Sequence, residues 1–305
     1  MNRWISPDLL AAFESQQTTA HRLFSSRDGW VERLGADILI SYKTEAMREQ
    51  AREELRDWAA LAGFEIARVF GRYLPRQNAE RISPVLIEGD SGASLLSTVT
   101  ENGVRYGIDF GAGYSAGLFI DQRANRSYLR RLAPKRLLNT FAYTCSFSVV
   151  AALAGGETVS VDLSKKSLDR GRENFALNEL SETAEGGHRF IADDVLDVLP
   201  RLERRGEKFD AIILDPPTFS RGNRGRRWQV ERDLEDLVLI AFELAAPGAS
   251  LLISTNCTKI DRRTLEAIAR FALKTSRRGG TLHQEPPLPD FAPGHGAQTL
   301  WVRLR

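Results

Sequence analysis

The pattern of apolar and polar residues along the chain changes near residue 123. Before that point, strand-like apolar runs lie at residues 36–42, 64–70, 84–87, 94–100 and 104–110. Thr44 and Gly63 bound a stretch with apolar residues every three or four positions, which predicts a capped helix. The sequence Glu-Asn-Gly at 101–103 is typical of a hairpin turn. These signals predict a small α+β domain over residues 31–122, preceded by an extension, residues 1–30, with a weak helical signal.

After residue 123, strands alternate with helices, which predicts an α/β domain over residues 123–305. The strand-like runs are residues 136–141, 158–163, 188–193, 209–215, 250–255 and 298–304. The helical stretches between them are residues 147–154, 164–180, about 195–205, about 229–245 and 262–276. Near-continuous apolar strands separated by helices are typical of a mostly parallel sheet that is covered on both faces. Ligands then bind at the carboxyl ends of the strands.

Composition narrows the class of protein only moderately. The 305 residues are 42% hydrophobic and 27% charged, with a net charge of +2, so a nucleic-acid partner would be held by local basic patches. Two distant cysteines and the absence of a leader pattern at the start indicate a reduced, cytoplasmic protein. No run of apolar residues is long enough to span a membrane, and the four scattered histidines do not have the spacing of metal ligands.

Acidic residues follow three of the predicted strands. Asp162 closes the second strand, about twenty residues after the first, where a carboxylate can accept hydrogen bonds from ribose hydroxyls. Asp193 and Asp194 close the third strand, where a carboxylate can accept from an adenine amine. Since the phosphate-binding pattern G-x-G-x-x-G is missing, the residues favour an adenosine cofactor without a pyrophosphate. Asp162 could alternatively cap the following helix, although Ser164 is better placed to do so.

The fourth strand ends abruptly in Asp215-Pro216-Pro217. Because proline has no N–H to donate, strand pairing must end there and the turn is stiff. A basic segment, R-G-N-R-G-R-R-W at 221–228, follows directly. Its arginines could bind phosphates, and Trp228 and Phe219 could stack on bases; the alternative is a disordered loop.

The motifs L-N-T-F-A-Y-T-C-S-F-S, S-V-D-L-S, E-N-F-A-L-N, F-D-A-I-I-L-D-P-P-T-F-S and G-L-F-I-D-Q-R together resemble one family. They are similar to class I S-adenosylmethionine-dependent methyltransferases of bacterial 23S rRNA that make 5-methylcytidine or 7-methylguanosine. The resemblance implies a Rossmann-like, mostly parallel seven-stranded sheet and S-adenosyl-L-methionine as the cofactor. It implies RNA as the partner, in the form of 23S rRNA or a ribosome-assembly intermediate. It implies neither a metal nor a membrane, and leaves the oligomeric state open.

The resemblance also assigns roles to particular residues. The cofactor-binding set is Asp121, Arg123, Asn139, Phe141, Ala142, Tyr143, Thr144, Asp162, Leu163, Ser164, Asp193 and Asp194. The catalytic set is Asp215, Pro216, Pro217 and Cys257, and the RNA-binding set is Phe219, Arg221, Arg224, Arg226, Arg227 and Trp228. Within the first set, Arg123 would pair with the cofactor carboxylate. Cys145 stands where relatives have glycine and is expected to be structural.

The target atom stays open at this level. Methylation of guanine N7 needs positioning, whereas cytosine C5 must first be activated by a thiolate such as that of Cys257. Cys257 could equally be a small buried residue. Three segments resemble the guanine-N7 members: D-P-P-T-F-S, Q-V-E-R-D and L-P-D-F-A. They slightly favour a reaction that does not use Cys257. The alternatives are a methyltransferase for a protein or small molecule, and a non-catalytic RNA-binding or assembly factor.

Overall fold

The computed structural model describes residues 3–75, 81–181, 187–222 and 225–305. The chain forms two compact units. Unit 1 comprises Met1–Arg123 and Pro287–His295, and unit 2 comprises Ala124–Pro286 and Gly296–Arg305.

Unit 1 is an α+β unit built on a six-stranded sheet in the order β1-β2-β3-β4-β5-β6. Its strands are β1 (Arg3–Trp4), β2 (Ala20–Ser26), β3 (Gly29–Leu34), β4 (Asp37–Tyr42), β5 (Arg68–Tyr73) and β6 (Val85–Glu88). Its helices are α1 (Pro7–Ser15) and α2 (Glu45–Ala62), followed by the hairpin β7 (Leu96–Glu101) and β8 (Val104–Asp109) and a 3-10 helix (Ile120–Gln122). Neighbouring strands of the large sheet are antiparallel except β4 and β5, which are parallel.

The local signals that predicted α2 and the hairpin are confirmed. The Thr44 side chain accepts a hydrogen bond from the amide of Met47 at 3.2 Å, and Gly63 ends the helix with a φ of 64°. In the hairpin turn, Asn102 and Gly103 both have positive φ, as a type I′ turn requires.

Residues 1–30, expected to be a separate extension, instead supply β1, α1 and β2 to unit 1. The strands here carry buried charged residues, which obscures their apolar alternation in the sequence. Arg22 on β2 pairs with Glu32 on β3 at 3.2 Å, and both side chains are buried. A buried charge is tolerated when it is paired in this way.

The segment Pro287–His295 also belongs to unit 1, although it was expected to be part of the second domain. Its carboxylate at Asp290 accepts a hydrogen bond from the backbone N–H of Arg22 at 2.8 Å and forms an ion pair with Arg123. These contacts hold the segment against β2.

Unit 2 contains the predicted α/β fold with a seven-stranded sheet in the order β11-β10-β9-β12-β15-β17-β16. Its strands are β9 (Arg136–Thr140), β10 (Glu157–Asp162), β11 (His188–Ala192), β12 (Phe209–Leu214), β15 (Ala245–Thr255), β16 (Gly280–His283) and β17 (Gln298–Leu304). Its helices are α3 (Arg123–Leu132, of which the first residue is counted with unit 1), α4 (Ser146–Leu153), α5 (Lys165–Leu177), α6 (Val195–Arg204), α7 (Val230–Leu244) and α8 (Arg262–Thr275). A short hairpin, β13 (Phe219–Arg221) and β14 (Arg227–Gln229), follows β12.

The sheet is mostly parallel, as predicted, with one reversed strand. β17 runs antiparallel to both β15 and β16, while the pairs among β9, β10, β11, β12 and β15 are parallel. The central strands are buried: Leu138, Ile212 and Leu251 are each 0% exposed. The large apolar core joins these strands to α6, α7 and α8.

Candidate active site

The carboxyl ends of four parallel strands bring the predicted acidic residues to one edge of the sheet. Thr140, the last residue of β9, is in register with Val161 on β10 and with Leu214 on β12. Asp162 is in register with Ala192, the last residue of β11. The acids that end or follow β10, β11 and β12 therefore share this edge, where doubly wound sheets bind their ligands.

The turn after β9, residues 141–145, is called the first turn here and has an unusual backbone. Phe141, Tyr143 and Cys145 have φ values of 52°, 48° and 59°, a region that costs a non-glycine residue about 1 kcal/mol or more each. Contacts from two neighbouring elements hold the turn in place. The Ala142 amide donates to the carbonyl of Val161 at 3.0 Å, and the Asn174 side chain on α5 donates to the carbonyl of Thr144 at 2.8 Å. Local backbone strain that the surroundings enforce in this way is concentrated at functional sites.

Cys145 is the residue before α4 and is completely buried. Burial raises the pKa of its thiol to about 12, so the group stays protonated at neutral pH. Its positive φ explains why glycine suits this position. The extra side chain fits because it faces Gly171 on α5, where a β-carbon would lie 2.5 Å from Cys145 Sγ. The contacts support the expected structural role.

Asp162 ties the first turn to the start of α5. One carboxylate oxygen accepts the amide of Tyr143 at 2.8 Å, and the other accepts the amide of Ser164 at 2.8 Å. Burial raises the pKa of Asp162, and the two backbone N–H groups oppose that shift. A carboxylate has about four acceptor positions, so two can still receive the hydroxyls of a ribose.

The side chains around Asp162 divide into exposed and engaged groups. Leu163 is 45% exposed, although it is a large apolar residue. Phe141 and Tyr143 are half-buried. The Ser164 hydroxyl caps α5 by accepting the amide of Ser167 at 3.1 Å. The exposed apolar side chain of Leu163 next to the Asp162 carboxylate is a combination that fits an adenosine.

Three members of the predicted cofactor set are buried behind this surface. Asn139 is 1% exposed, and its amide donates to the Ser148 hydroxyl at 3.0 Å, so its predicted direct contact with the cofactor is wrong for the side chain. Ala142 and Thr144 are 7% and 1% exposed and could offer only their backbone. Asn139 lies inside a central strand, where a buried polar group needs a hydrogen-bond partner, and the Ser148 hydroxyl is that partner for its amide.

Asp193 and Asp194 have different surroundings. The Asp193 carboxylate forms an ion pair with Arg201 on α6 and accepts the amide of Asp194 at 2.8 Å. Asp194 is 8% exposed and caps α6 by accepting the amide of Leu196 at 3.0 Å. Its second carboxylate oxygen lies 3.6 Å from a guanidinium nitrogen of Arg226.

The Asp215-Pro216-Pro217 turn leaves the sheet beside the first turn. Asp215 is half-buried and Pro216 is buried, whereas Pro217 and Thr218 are exposed. The Trp228 indole N–H donates to the carbonyl of Pro217 at 2.8 Å. This bond anchors the turn from the opposite strand of the hairpin.

Trp228 does not have the predicted role of stacking on RNA. Its ring is 3% exposed and belongs to the core of unit 2, with its centroid 5.9 Å from that of Phe141. Phe219 is 57% exposed and remains a candidate for stacking. Arg221 and Arg227 are exposed on the hairpin.

Of the other two predicted RNA-binding arginines, the structure describes one. Arg226 is also exposed, and its guanidinium donates to Asp197 on α6 at 2.8 Å. Arg224 lies outside the described residues.

Cys257, two residues beyond the end of β15, is a buried free cysteine with 5% exposure. Its thiol donates a hydrogen bond to a Glu231 carboxylate oxygen at 3.8 Å, and Lys259 pairs with the same carboxylate at 3.1 Å. Cys257 also belongs to the core of unit 2.

Asp121 and Arg123 belong to unit 1, whereas the other predicted cofactor residues belong to unit 2. Asp121 is half-buried in the 3-10 helix. Arg123 is 5% exposed, pairs with Asp290 and donates to the carbonyl of Ala20 at 3.2 Å. Its guanidinium is thus paired inside unit 1, in place of the predicted cofactor carboxylate. The role of Asp121 stays a prediction.

Sequence reasoning missed several residues that shape this site. Gly171 and Asn174 on α5 support the first turn, and Asp197 and Gly222 lie beside Asp194 and Arg226. Asn174 lies in E-N-F-A-L-N, one of the motifs of the resemblance, which is a signal in the sequence that points to such a role. Within residues 3–75, 81–181, 187–222 and 225–305, no cluster of three or more potential metal ligands is present. None of the described helices combines the length and the apolar character that crossing a membrane requires.

Comparison with known proteins agrees with this architecture. The sequence profile of a family described as S-adenosylmethionine-dependent methyltransferases matches residues 31–303. Over 293 residues the chain is 31% identical to YwbD of Bacillus subtilis strain 168, which is named as a ribosomal RNA large subunit methyltransferase. That match covers 91% of this chain and 71% of the relative.

A second relative is the ribosomal RNA large subunit methyltransferase I of Aeromonas salmonicida strain A449. It is 36% identical over 185 residues, covering 59% of this chain and 45% of the relative, so this chain spans less than half of that protein. The crystal structure of SMU.776, described as a methyltransferase complexed with SAH, superimposes with a TM-score of 0.83 at 25% identity. It covers 97% of this chain and 78% of that one.

Proposed function

Since the chain belongs to the S-adenosylmethionine-dependent methyltransferase family, we propose that it methylates a nucleobase of large-subunit ribosomal RNA. The observation that carries the proposal is the alignment of Asp162, Asp194 and Asp215 at the carboxyl ends of β10, β11 and β12. The names of the relatives support the choice of ribosomal RNA as the substrate. With this proposed substrate, we expect the reaction to take place in the cytoplasm.

The residues at this edge fit the cofactor. Asp162 would receive the ribose hydroxyls, and the exposed side chain of Leu163 would be covered by the adenine ring. Asp194 would accept the adenine amine, since Asp193 already pairs with Arg201. The strained first turn would hold the methionine portion through its backbone. When bound, S-adenosylmethionine supplies an electrophilic methyl group on a sulfonium centre.

The Asp-Pro-Pro turn would receive the acceptor base. Asp215 lies one residue beyond a strand that is buried along its last four residues, so its position is fixed from one side. Trp228 fixes the turn from the other side through the carbonyl of Pro217. Methyl transfer depends mainly on alignment of the acceptor with the methyl group. Asp215 can accept a hydrogen bond from a base N–H, and the exposed ring of Phe219 can stack on the base.

The surroundings of Cys257 favour guanine N7 over cytosine C5 as the acceptor atom. Guanine N7 carries its own lone pair, whereas cytosine C5 requires addition of a thiolate to C6. The Cys257 thiol is instead packed in the core and bonded to Glu231. We therefore assign the enzyme a reaction in which Cys257 supports the structure and no covalent intermediate forms.

The test is transfer of an isotopically labelled methyl group from S-adenosylmethionine to large-subunit ribosomal RNA, followed by mass spectrometry of the nucleosides. Labelled 7-methylguanosine is the expected product. Labelled 5-methylcytidine would give Cys257 the role of nucleophile. Label in proteins or small molecules but not in RNA would show that the proposed substrate class is wrong.

A further inference from the structure

Arg226 reaches from the β13–β14 hairpin to the start of α6. One guanidinium nitrogen donates to Asp197 at 2.8 Å, and the other lies 3.6 Å from an Asp194 carboxylate oxygen, Oδ2. The Arg226 side chain is 43% exposed, while the side chains of Asp194 and Asp197 are 10% and 33% exposed. The contact is therefore an ion pair at the surface with one largely buried partner.

The hairpin backbone approaches the same carboxylate oxygen. Gly222 donates its amide to the carbonyl of Arg226 at 2.9 Å, which closes the hairpin at this level. A β-carbon on Gly222 would lie 2.1 Å from Asp194 Oδ2, so a side chain at residue 222 would require this carboxylate to shift. The other oxygen of Asp194, Oδ1, accepts the amide of Leu196. The hairpin thus approaches the oxygen opposite the one that accepts the Leu196 amide.

We propose that Arg226 and the adenine amine of the cofactor compete for Asp194, so that cofactor binding releases Arg226 to bind an RNA phosphate. The inference rests on the proposed function, in which Asp194 accepts the adenine amine. Oδ1 must stay with Leu196 to keep α6 capped, so the amine is directed to Oδ2. Once Arg226 leaves that oxygen, it retains a solvent-screened ion pair with Asp197, which an RNA phosphate can replace, and it shares the hairpin with the exposed Arg221 and Arg227.

The competition links the two substrates. Without RNA, Arg226 weakens cofactor binding because it occupies Asp194. When RNA binds Arg226, this competition ends, so the cofactor and RNA bind cooperatively. Thermodynamic linkage requires the effect to be equal in both directions. Because Arg226 is nearly half exposed, its ion pairs are screened by solvent, and the expected effect on either affinity is about two- to fivefold.

The experiment is calorimetric titration of the full chain with S-adenosylhomocysteine at low and high salt. Arg226→Ala is expected to bind S-adenosylhomocysteine about two- to fivefold more tightly than the wild type. High salt should tighten binding by the wild type, since salt screens the competing ion pair, and should leave Arg226→Ala unchanged.

Arg204→Ala is the matched control, because it removes the same charge from the exposed far end of α6. Its affinity should equal that of the wild type. In a second arm, S-adenosylhomocysteine should tighten wild-type binding to in-vitro transcribed large-subunit rRNA and should not affect binding by Arg226→Ala.

The outcomes separate this inference from the proposed function. If the wild type does not bind S-adenosylhomocysteine, the proposed function fails. If the wild type binds it and Arg226→Ala binds with equal or lower affinity, the competition is refuted and the proposed function stands. Equal RNA affinity of the wild type with and without S-adenosylhomocysteine would also refute the competition.

Discussion

The thiol of Cys145 occupies the space above Gly171: a β-carbon on residue 171 would lie 2.5 Å from Cys145 Sγ and 3.0 Å from its Cβ. The two residues therefore form a matched pair: because Cys145 carries a side chain, residue 171 on α5 must have none. Cys145 is fully buried, so the sulfur cannot move aside into solvent.

Gly171→Ala should destabilise the protein. Overpacking of a buried site costs about 1–3 kcal/mol, while the gain in helix propensity returns at most about 1 kcal/mol. In a Cys145→Gly background the same substitution should be neutral or stabilising, because the sulfur is gone. Urea unfolding of the four proteins measures this coupling, and additive effects would show that the two residues do not interact.

The second prediction concerns the pH dependence of cofactor affinity. Burial raises the pKa of Asp162, so in the folded protein this carboxyl takes up a proton at a higher pH than an ordinary aspartate. Protonation removes acceptor positions for the ribose hydroxyls, so affinity for S-adenosylhomocysteine should fall as the pH decreases through that raised pKa. Asp162→Asn should bind about 10- to 100-fold more weakly at neutral pH. Its affinity should be flat in the same window, and an equal pH response in both proteins would exclude Asp162 as the titrating group.

The same raised pKa has a consequence for stability with a defined sign. Because the folded-state pKa lies above the unfolded-state value, the contribution of Asp162 to stability is fully present below the unfolded-state pKa. It is lost as the pH rises through the folded-state pKa. As the pH falls through this range, the free energy of unfolding of the wild type should therefore increase relative to that of Asp162→Asn. Urea unfolding at several pH values measures it, and a change of the opposite sign would contradict the burial argument.

The third prediction concerns Trp228. Trp228→Phe keeps an aromatic ring in the core and removes the hydrogen bond to the carbonyl of Pro217. We expect a loss of about 1 kcal/mol in stability and a slower methyl transfer with unchanged affinity for S-adenosylhomocysteine. Single-turnover assays and calorimetry separate the two effects. If Trp228→Phe transferred methyl groups at the wild-type rate, the indole bond would have no role in holding the turn.

The fourth prediction concerns Cys257. Since its thiol is packed in the core and bonded to Glu231, Cys257→Ala should retain methyl transfer within about threefold, with a modest loss of stability from the small cavity. The measurement is the single-turnover rate with ribosomal RNA, with Cys145→Ala as a control for loss of the other buried thiol. A reduction of a thousandfold or more in Cys257→Ala alone would identify a nucleophile.

The sequence was most informative where burial is continuous. The strands β9, β10 and β12 were predicted because their apolar runs end in a polar turn, and this also placed Asp162 and Asp215 at the edge of the sheet. β16 was missed, since four residues, G-T-L-H, carry no periodic signal. The strands β2 and β3 were missed because the buried Arg22–Glu32 pair interrupts their apolar pattern.

The errors in the site have a common physical origin. Trp228 and Asn139 were assigned to ligands because their side chains can stack or donate, but both are satisfied inside the protein. Likewise, the pairing of Arg123 with Asp290 joins residues far apart in the chain. Contacts of this kind depend on the tertiary structure, which a single sequence does not display.

The most direct test of the account is the comparison of Asp215→Ala with the wild type in two assays on the same preparations. Asp215 is proposed to position the acceptor base and not the cofactor. Misplacement of a reacting group by about 1 Å can reduce a rate about a hundredfold. We predict that Asp215→Ala loses methyl transfer to large-subunit ribosomal RNA by at least that factor, while its affinity for S-adenosylhomocysteine stays within about threefold of the wild type. Transfer at the wild-type rate would contradict the assignment of this turn as the site of the reaction.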